Sequence, residues 1–434
     1  MTTKILRGQA LTFKADPFLV GDAQSYHYES DALVIIEDGK IKSFGSYASL
    51  KDSIPDGSEV TDYKNSLILP GFIDTHVHYP QTQIIGAYGK QLLDWLNNYT
   101  FVAEQQFADK KHATEVAKVF IKESLRAGTT TSLVFGTVHE HSVDALFEEA
   151  EKLNLRMVAG KVLMDRNAPP ALLDTAQRGY DESKSLIKKW HGKGRLSYAI
   201  TPRFAPTSTP EQLKMAGELW KEHPGTYVQT HISENLGEIA WVKELFPERS
   251  DYLDVYDHYG LLGERSLYAH GVHLTDSEWS RLHKCGAAVC HCSTSNQFLG
   301  SGLFSFEKAK DKTRPVKTGL GTDIGAGTSF SHLLTMNESY KVGQLSGYSL
   351  SSLRAFYLAT RGGAESLYME DKIGSIAPGM EADLVVLDLK ATPLMDFRMG
   401  YCSDITEVLF ILMTLGDDRA TESVYVAGEK VYGK

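Results

Sequence analysis

Short apolar runs alternate with amphipathic repeats through the middle of the chain. The first apolar run leads out of Leu69-Pro70-Gly71 and ends in His76-Val77-His78. Seven more follow, at Thr129–Phe135, Arg156–Met164, Leu196–Phe204, Thr226–Ser233, Ser266–Leu274, Ala287–Cys292 and Val316–Asp323. The stretches between them read as helices. Ala113, Val116, Ala117, Phe120, Ile121 and Leu125 recur near the 3.6-residue period, and Gly128 suits a stop. Thr209-Pro210 with Gln212 offers an N-cap, a proline at the first helical position and a glutamine at the third. Thr275 with Glu278 is a capping box. Strand–helix alternation of this length predicts an α/β chain, a (β/α)8 barrel rather than an open doubly wound sheet. No glycine-rich dinucleotide fingerprint or phosphate loop follows an early strand, which weakens the open sheet further.

The two ends share a different texture. Ala32–Ile36 runs into Glu37-Asp38-Gly39-Lys40 and then Ile41–Phe44, and Asp-Gly between apolar runs signals a hairpin whose central residues hold positive φ. Ala382–Asp388 and Ser423–Val431 read as strands at the other end. Neither end has strands enough for an independent sheet. The expectation is one small β-sandwich built from residues 1–66 and 372–434, around a barrel at 67–371.

Composition narrows the function. Of the 434 residues, 42% are hydrophobic and 23% charged, as in soluble globular proteins, and a net charge of −10 argues against a nucleic-acid surface. The greasiest window, Val408–Leu415, is far shorter than the roughly 20 residues a membrane helix needs. It reads as a buried helix, and the N-terminus carries no signal-peptide pattern. Four cysteines, Cys285, Cys290, Cys292 and Cys402, suit a reducing cytoplasm. Cys290-His291-Cys292 lacks a second ligand pair and reads as buried strand.

Chemistry gathers at the strand ends. Residues i and i+2 of a strand share a side, so His76 and His78 can face one cation. Arg203 follows the fourth strand, His231 and Glu234 the fifth, His270 and His273 fall around the sixth, and Asp323 ends the eighth. In a barrel those ends open on one mouth. Neutral imidazoles with one carboxylate suit a divalent ion that keeps a position for water and acidifies it. Glu234 is placed to carry protons, Asp323 to take the first proton from the water, and His270 to orient it. His273 reads as a rim residue.

Several blocks carry a resemblance: His76-Val77-His78-Tyr79-Pro80-Gln81, Leu92–Phe101, Thr201–Pro206, Thr230–Asn235, Ala269-His270-Gly271, Cys292–Asn296 and Gly321-Thr322-Asp323. The sequence resembles the amidohydrolase superfamily and, within it, the guanine deaminases. His-x-His and Gly-Thr-Asp mark the superfamily alone; Pro80-Gln81, the Leu-Asp-Trp-Leu block and Pro202-Arg203-Phe204 are more selective. The resemblance implies zinc on His76, His78, His231 and Asp323, with His270 at or beside the metal, and Glu234 as proton shuttle. It implies Gln81, Arg203 and Phe204 around the purine, with His78, His231, Glu234 and Asp323 also reaching it. The implied reaction is attack of zinc-activated hydroxide at C2 of guanine, yielding xanthine and ammonia in purine catabolism or salvage. A cytoplasmic homodimer is implied as well. Val102 departs from the pattern, standing where proline is expected, and puts the local loop shape in question.

Other readings stay open on residues alone. A related hydrolase acting on a triazine, a pterin or an adenine-type ring needs the same ligands, and so does iron or manganese in place of zinc. A catalytically dead scaffold is disfavoured, because no ligand is missing.

Overall fold

The computed structural model describes residues 3–55, 57–89 and 91–434; Met1, Thr2 and Asp56 of the expected terminal unit, and Lys90, lie outside the described residues. From the N-terminal side come β1 (Thr3–Phe13), β2 (Tyr26–Glu37), β3 (Lys40–Ser46) and β4 (Val60–Pro70). The middle supplies β5 (Phe72–His78), β6 (Thr129–Phe135), β7 (Arg156–Gly160), β8 (Val162–Leu163), β9 (Leu196–Pro202) and β10 (Tyr227–Ile232). It continues with β11 (Ser266–His270), β12 (Ala288–His291) and β13 (Lys317–Leu320), and β14 (Leu384–Asp388), β15 (Thr421–Val426) and β16 (Glu429–Gly433) follow.

Strands from both ends form one seven-stranded sheet, ordered β16-β15-β14-β4-β1-β2-β3. The β2–β3 hairpin turns at Asp38 and Gly39, with φ of 46° and 81°, as an Asp-Gly turn requires. One face of this single sheet carries a core of its own, with Leu6, Val34, Ile36, Ile68, Val386 and Tyr425. Its other face, through Leu67, Leu69, Val385 and Val424, joins the main core with the barrel's helices. The alternation of these residues along β4 and β14 is the period-2 pattern of a sheet buried on both faces.

The middle segment is a nearly closed barrel of parallel strands, ordered β13-β12-β11-β10-β9-β7-β6-β5, with β8 extending the pairing on β9. The helix Lys110–Arg126 buries the predicted stripe of Ala113, Val116, Ala117, Phe120, Ile121 and Leu125, and Gly128 ends the turn at φ 87°. Thr209 caps the helix Pro210–Glu222, and Thr275 with Glu278 forms the reciprocal box on Asp276–Cys285. Each cap contributes about 1 kcal/mol and fixes where a strand-end loop must stop. The helix Ile405–Leu415 buries Leu409, Ile411, Leu412 and Met413 but leaves Leu415 exposed. Among the described residues no helix is long and apolar enough to cross a membrane.

Most strands are shorter than their apolar runs, and two of them end at left-handed or near left-handed turns. β11 stops at His270, which takes φ 73°, and β13 stops at Leu320, ahead of Asp323 at φ 49°. Non-glycine residues hold such angles only where surrounding contacts enforce them. The chain therefore leaves the ladder just where its polar side chains face the barrel mouth. At the opposite, N-terminal face of the barrel, Arg156 and Arg195 both pair with Glu381, and Arg195 also pairs with Asp383. This network docks the terminal sheet under the barrel.

β5 and β13, the first and last barrel strands, meet at a seam that no ladder crosses. Asp323 N donates to His76 O at 2.9 Å, His78 N to Ile324 O at 3.0 Å, and Thr75 Oγ1 to Leu320 O at 2.9 Å. The seam is stitched by the same short segments that carry the expected ligands.

Candidate active site

His76 and His78 project from the buried strand β5 to the same side, as their spacing predicts. His76 Nε2 lies 3.2 Å from Asp323 Oδ1, and His78 Nε2 lies 3.5 Å from the same oxygen. His78 Nε2 and His231 Nε2 are 3.1 Å apart. His270 Nε2 sits 3.8 Å from Asp323 Oδ2 and 3.5 Å from Glu234 Oε2. Donors bound at 2.0–2.1 Å in a tetrahedron are spaced about 3.3 Å apart. The His76, His78, His231 and Asp323 spacings match that value, and His270 stands slightly outside it.

Unsatisfied polarity points the same way. Both ring nitrogens of His76 and Nδ1 of His78 are buried without a hydrogen-bond partner among the described residues. Buried polar atoms are rarely left so. His231 Nδ1 donates to Arg203 O at 2.6 Å, and His270 Nδ1 donates to Asn296 Oδ1 at 2.9 Å, so each presents a lone pair on Nε2. Burial lowers the pKa of His76 and drives those of His78 and His231 well down, which keeps these rings in the neutral, ligating form. Burial opposes charge on His270 too, but the carboxylates of Glu234 and Asp323 outweigh it and raise its pKa. Burial likewise pushes Asp323 up, and His76 and His270 more than reverse it. These residues fit a divalent cation.

Above these imidazoles and Asp323 lies a cavity. His78, His231, His270, Asp323, Glu234, Gln81, Arg203 and Phe204 line it, together with Glu238, Leu92, Trp95, Leu96, Leu299 and Ala326. Of the predicted residues, His76 alone lies behind the lining. A wall of Phe204, Trp95 and leucines opposite a few polar groups suits a flat ring with a polar edge. Glu234 Oε1 accepts from Ser301 Oγ at 2.9 Å. Burial lifts the Glu234 carboxyl to about 7, with Glu238 and Asp323 adding to the effect against His270. His273 takes the rim position expected of it, its Nε2 bonding to Ser301 O at 2.8 Å.

Several residues escaped the sequence reading. Glu104 is fully buried and binds Arg203 Nη1 through both carboxylate oxygens, at 2.9 and 2.8 Å. Burial raises its pKa, and the guanidinium opposes that rise. Glu238 accepts from Glu234 N at 2.9 Å and Asn235 N at 3.2 Å, holding the turn that aims Glu234. Its signal was present, since Asn235 and Glu238 have capping-box spacing. Asp74 accepts from His76 N at 3.2 Å, and burial raises its carboxyl to about 7. Val102 is exposed on the short helix Phe101–Gln105, outside the cavity lining. Cys290 lies in β12, whereas Cys292 is buried one position past it, its Sγ within 4.8 Å of ligand atoms of His76, His270 and Asp323.

Known proteins share this fold. A profile of the Amidohydrolase family matches residues 67–431. The chain is 55% identical to guanine deaminase of Escherichia coli (strain K12) over 410 residues, 94% of this chain and 93% of that protein. The solved structure of E. coli guanine deaminase superposes with a TM-score of 0.97 at 52% identity, covering 99% of this chain and 100% of that one. Guanine deaminase from C. acetobutylicum, solved with guanine bound in its active site, gives a TM-score of 0.89 at 32% identity over 99% and 100% of the two chains.

Proposed function

The chain belongs to the amidohydrolase family, and from that membership we propose that it hydrolyses guanine to xanthine and ammonia using zinc. The observation that carries this reading is the meeting of imidazoles, Asp323 and Glu234 beneath one cavity whose polar wall is Gln81 and Arg203. Similarity to a guanine deaminase that holds guanine in its active site supports the choice of ring.

In this reading His76, His78, His231 and Asp323 hold the ion, with His270 at or beside it. A divalent ion there supplies Lewis acidity that brings the pKa of water down toward about 7. Asp323 accepts the proton released as water adds to C2, and His270, oriented by Asn296, aligns that water. Glu234 protonates ring N3 as C2 becomes tetrahedral, and its pKa of about 7 suits a group that both gives and takes protons at neutral pH. Glu234 then takes the proton of the new C2 hydroxyl as the carbonyl forms, Glu234 or Asp323 passes a proton to the amine, and the C2–N bond breaks with its electron pair leaving on nitrogen as ammonia. Gln81 and Arg203 donate to acceptors on the ring, and Phe204 offers it a flat apolar face.

The same proposal includes a cytoplasmic homodimer acting in purine breakdown or salvage. It also divides the chain into residues 1–66 with 372–434 and a catalytic unit at 67–371. The test is xanthine and ammonia release by purified, metal-loaded protein, alongside a panel of pterins, triazines and adenine-type rings. Turnover of another ring with guanine left unchanged overturns the reading.

A further inference from the structure

We propose that Glu104 decides which purines the site accepts: it locks Gln81 and Arg203 as hydrogen-bond donors toward the cavity and so selects a 6-oxo ring edge over a 6-amino one. The inference rests on the guanine reading above for the class of ring, but not for its geometry.

Glu104 is not itself part of the cavity lining; it stands behind two residues that are, Gln81 and Arg203. Its ionised carboxylate can only accept. Both oxygens take Arg203 Nη1, and Oε1 also faces Gln81 Nε2 at 3.4 Å. On its far side Gln81 Oε1 accepts from Gly325 N at 3.2 Å. The amide therefore has one permitted orientation. Turned over, it would set its oxygen against the carboxylate and its NH2 against the Gly325 N–H, losing both bonds at once. With the carbonyl engaged by Gly325, the remaining N–H of Gln81 is what the cavity receives.

Arg203 is fixed in the same way. Glu104 anchors one nitrogen, and the face of Phe101 lies 5.5 Å from the guanidinium carbon, so the plane of the fork is set from two sides. Its other N–H groups find no protein acceptor among the described residues and remain for a ligand. The opposite charges of the pair leave a wall that donates without net charge, which suits a neutral ring.

A wall of donors reads an edge of acceptors. Guanine offers O6 and N7, both acceptors, whereas a 6-amino purine offers an N–H2 donor beside N7. A donor facing a donor leaves both buried groups unpaired, and sites built to make such a bond discriminate by several orders of magnitude. A carboxylate that merely neutralised Arg203 would have no such selectivity. Its loss would weaken all ring substrates alike.

The experiment compares guanine with 2,6-diaminopurine, which share the 2-amino leaving group and differ at C6. Wild-type protein should strongly prefer guanine in kcat/KM. Glu104→Gln, whose amide lets Gln81 turn over, should shrink that preference by at least about tenfold, whereas Glu104→Asp, still acceptor-only, should keep it. In parallel, binding of hypoxanthine and adenine to metal-loaded protein is followed by tryptophan fluorescence, which needs no turnover. Wild type should favour hypoxanthine, and Glu104→Gln should lose that bias. Equal losses for both rings in Glu104→Gln overturn the lock, as does a wild-type protein that binds adenine and hypoxanthine alike. Failure of wild type to turn over guanine counts against the proposed reaction instead, since the binding comparison reports on the lock independently.

Discussion

Thr322 donates to Asp74 twice across 248 positions of chain, from its backbone N–H at 3.1 Å and from its hydroxyl at 2.5 Å. Thr322 immediately precedes Asp323, and Asp74 accepts in turn from His76 N. One buried carboxyl thus ties the backbone of His76, on the first barrel strand, to the residue before Asp323, just past the last. Partners of this kind orient the ligands and tune the site as a whole.

Replacing Thr322 with valine keeps the shape and removes one donor. The variant should lose about 1–3 kcal/mol of stability, because a buried acceptor is left short of a partner. Metal affinity should fall by roughly tenfold or more. Thermal melts and metal titration of the apoprotein check both, and unchanged affinity would mean that the contact serves folding alone.

Metal removal should destabilise the fold as well as stop turnover. An ion that binds only the native state contributes about 2.7 kcal/mol at a concentration of 100 times Kd. The melting temperature of chelated protein should rise on adding zinc, and the variants His78→Ala and Asp323→Asn should show no such rise. Elemental analysis of each protein supplies the stoichiometry.

Glu234→Gln keeps the cavity's shape but cannot carry a proton. Its kcat on guanine should drop by about 10²–10⁴, with metal content and melting temperature close to wild type. A large fall in metal content would instead make Glu234 part of the ion's coordination.

Docking of the terminal sheet should be acid-sensitive. Burial alone would raise the Glu381 carboxyl, but Arg156 and Arg195 outweigh it and hold its pKa below the free value. A depressed carboxyl stabilises the fold fully above the unfolded pKa, about 4.3. That contribution drains away as pH falls below 4.3 and through the lower folded value. Glu381→Gln should cost roughly 1–3 kcal/mol at neutral pH, with less further loss on acidification than wild type. Melting curves across that range decide it.

Much of this was legible because strands and helices write their periods into the sequence. The stripe from Ala113 to Leu125, the Asp38-Gly39 turn and the cap at Thr275 each rest on local residue chemistry, and each lies where it was expected. The residues that meet beneath the cavity were legible for a related reason: a histidine or aspartate that interrupts an apolar strand near its end stands out. What stayed hidden was pairing at a distance. Glu104 is a lone acid in a short helix until the fold brings it to Arg203, 99 positions away. The early ends of β11 and β13 were unreadable too, since histidine and aspartate enter the left-handed region more readily than most residues but still only rarely.

The stitched seam bears on how the molecule is born. A ribosome makes His76 and His78 early and Asp323 long afterwards, so a nascent chain exposes two histidines well before the carboxylate that completes their set. That pair stands without the backbone bonds that join its strand to the segment around Asp323. Hydrolytic competence arrives together with closure of the barrel, and a polypeptide interrupted before Leu320 has no route to it.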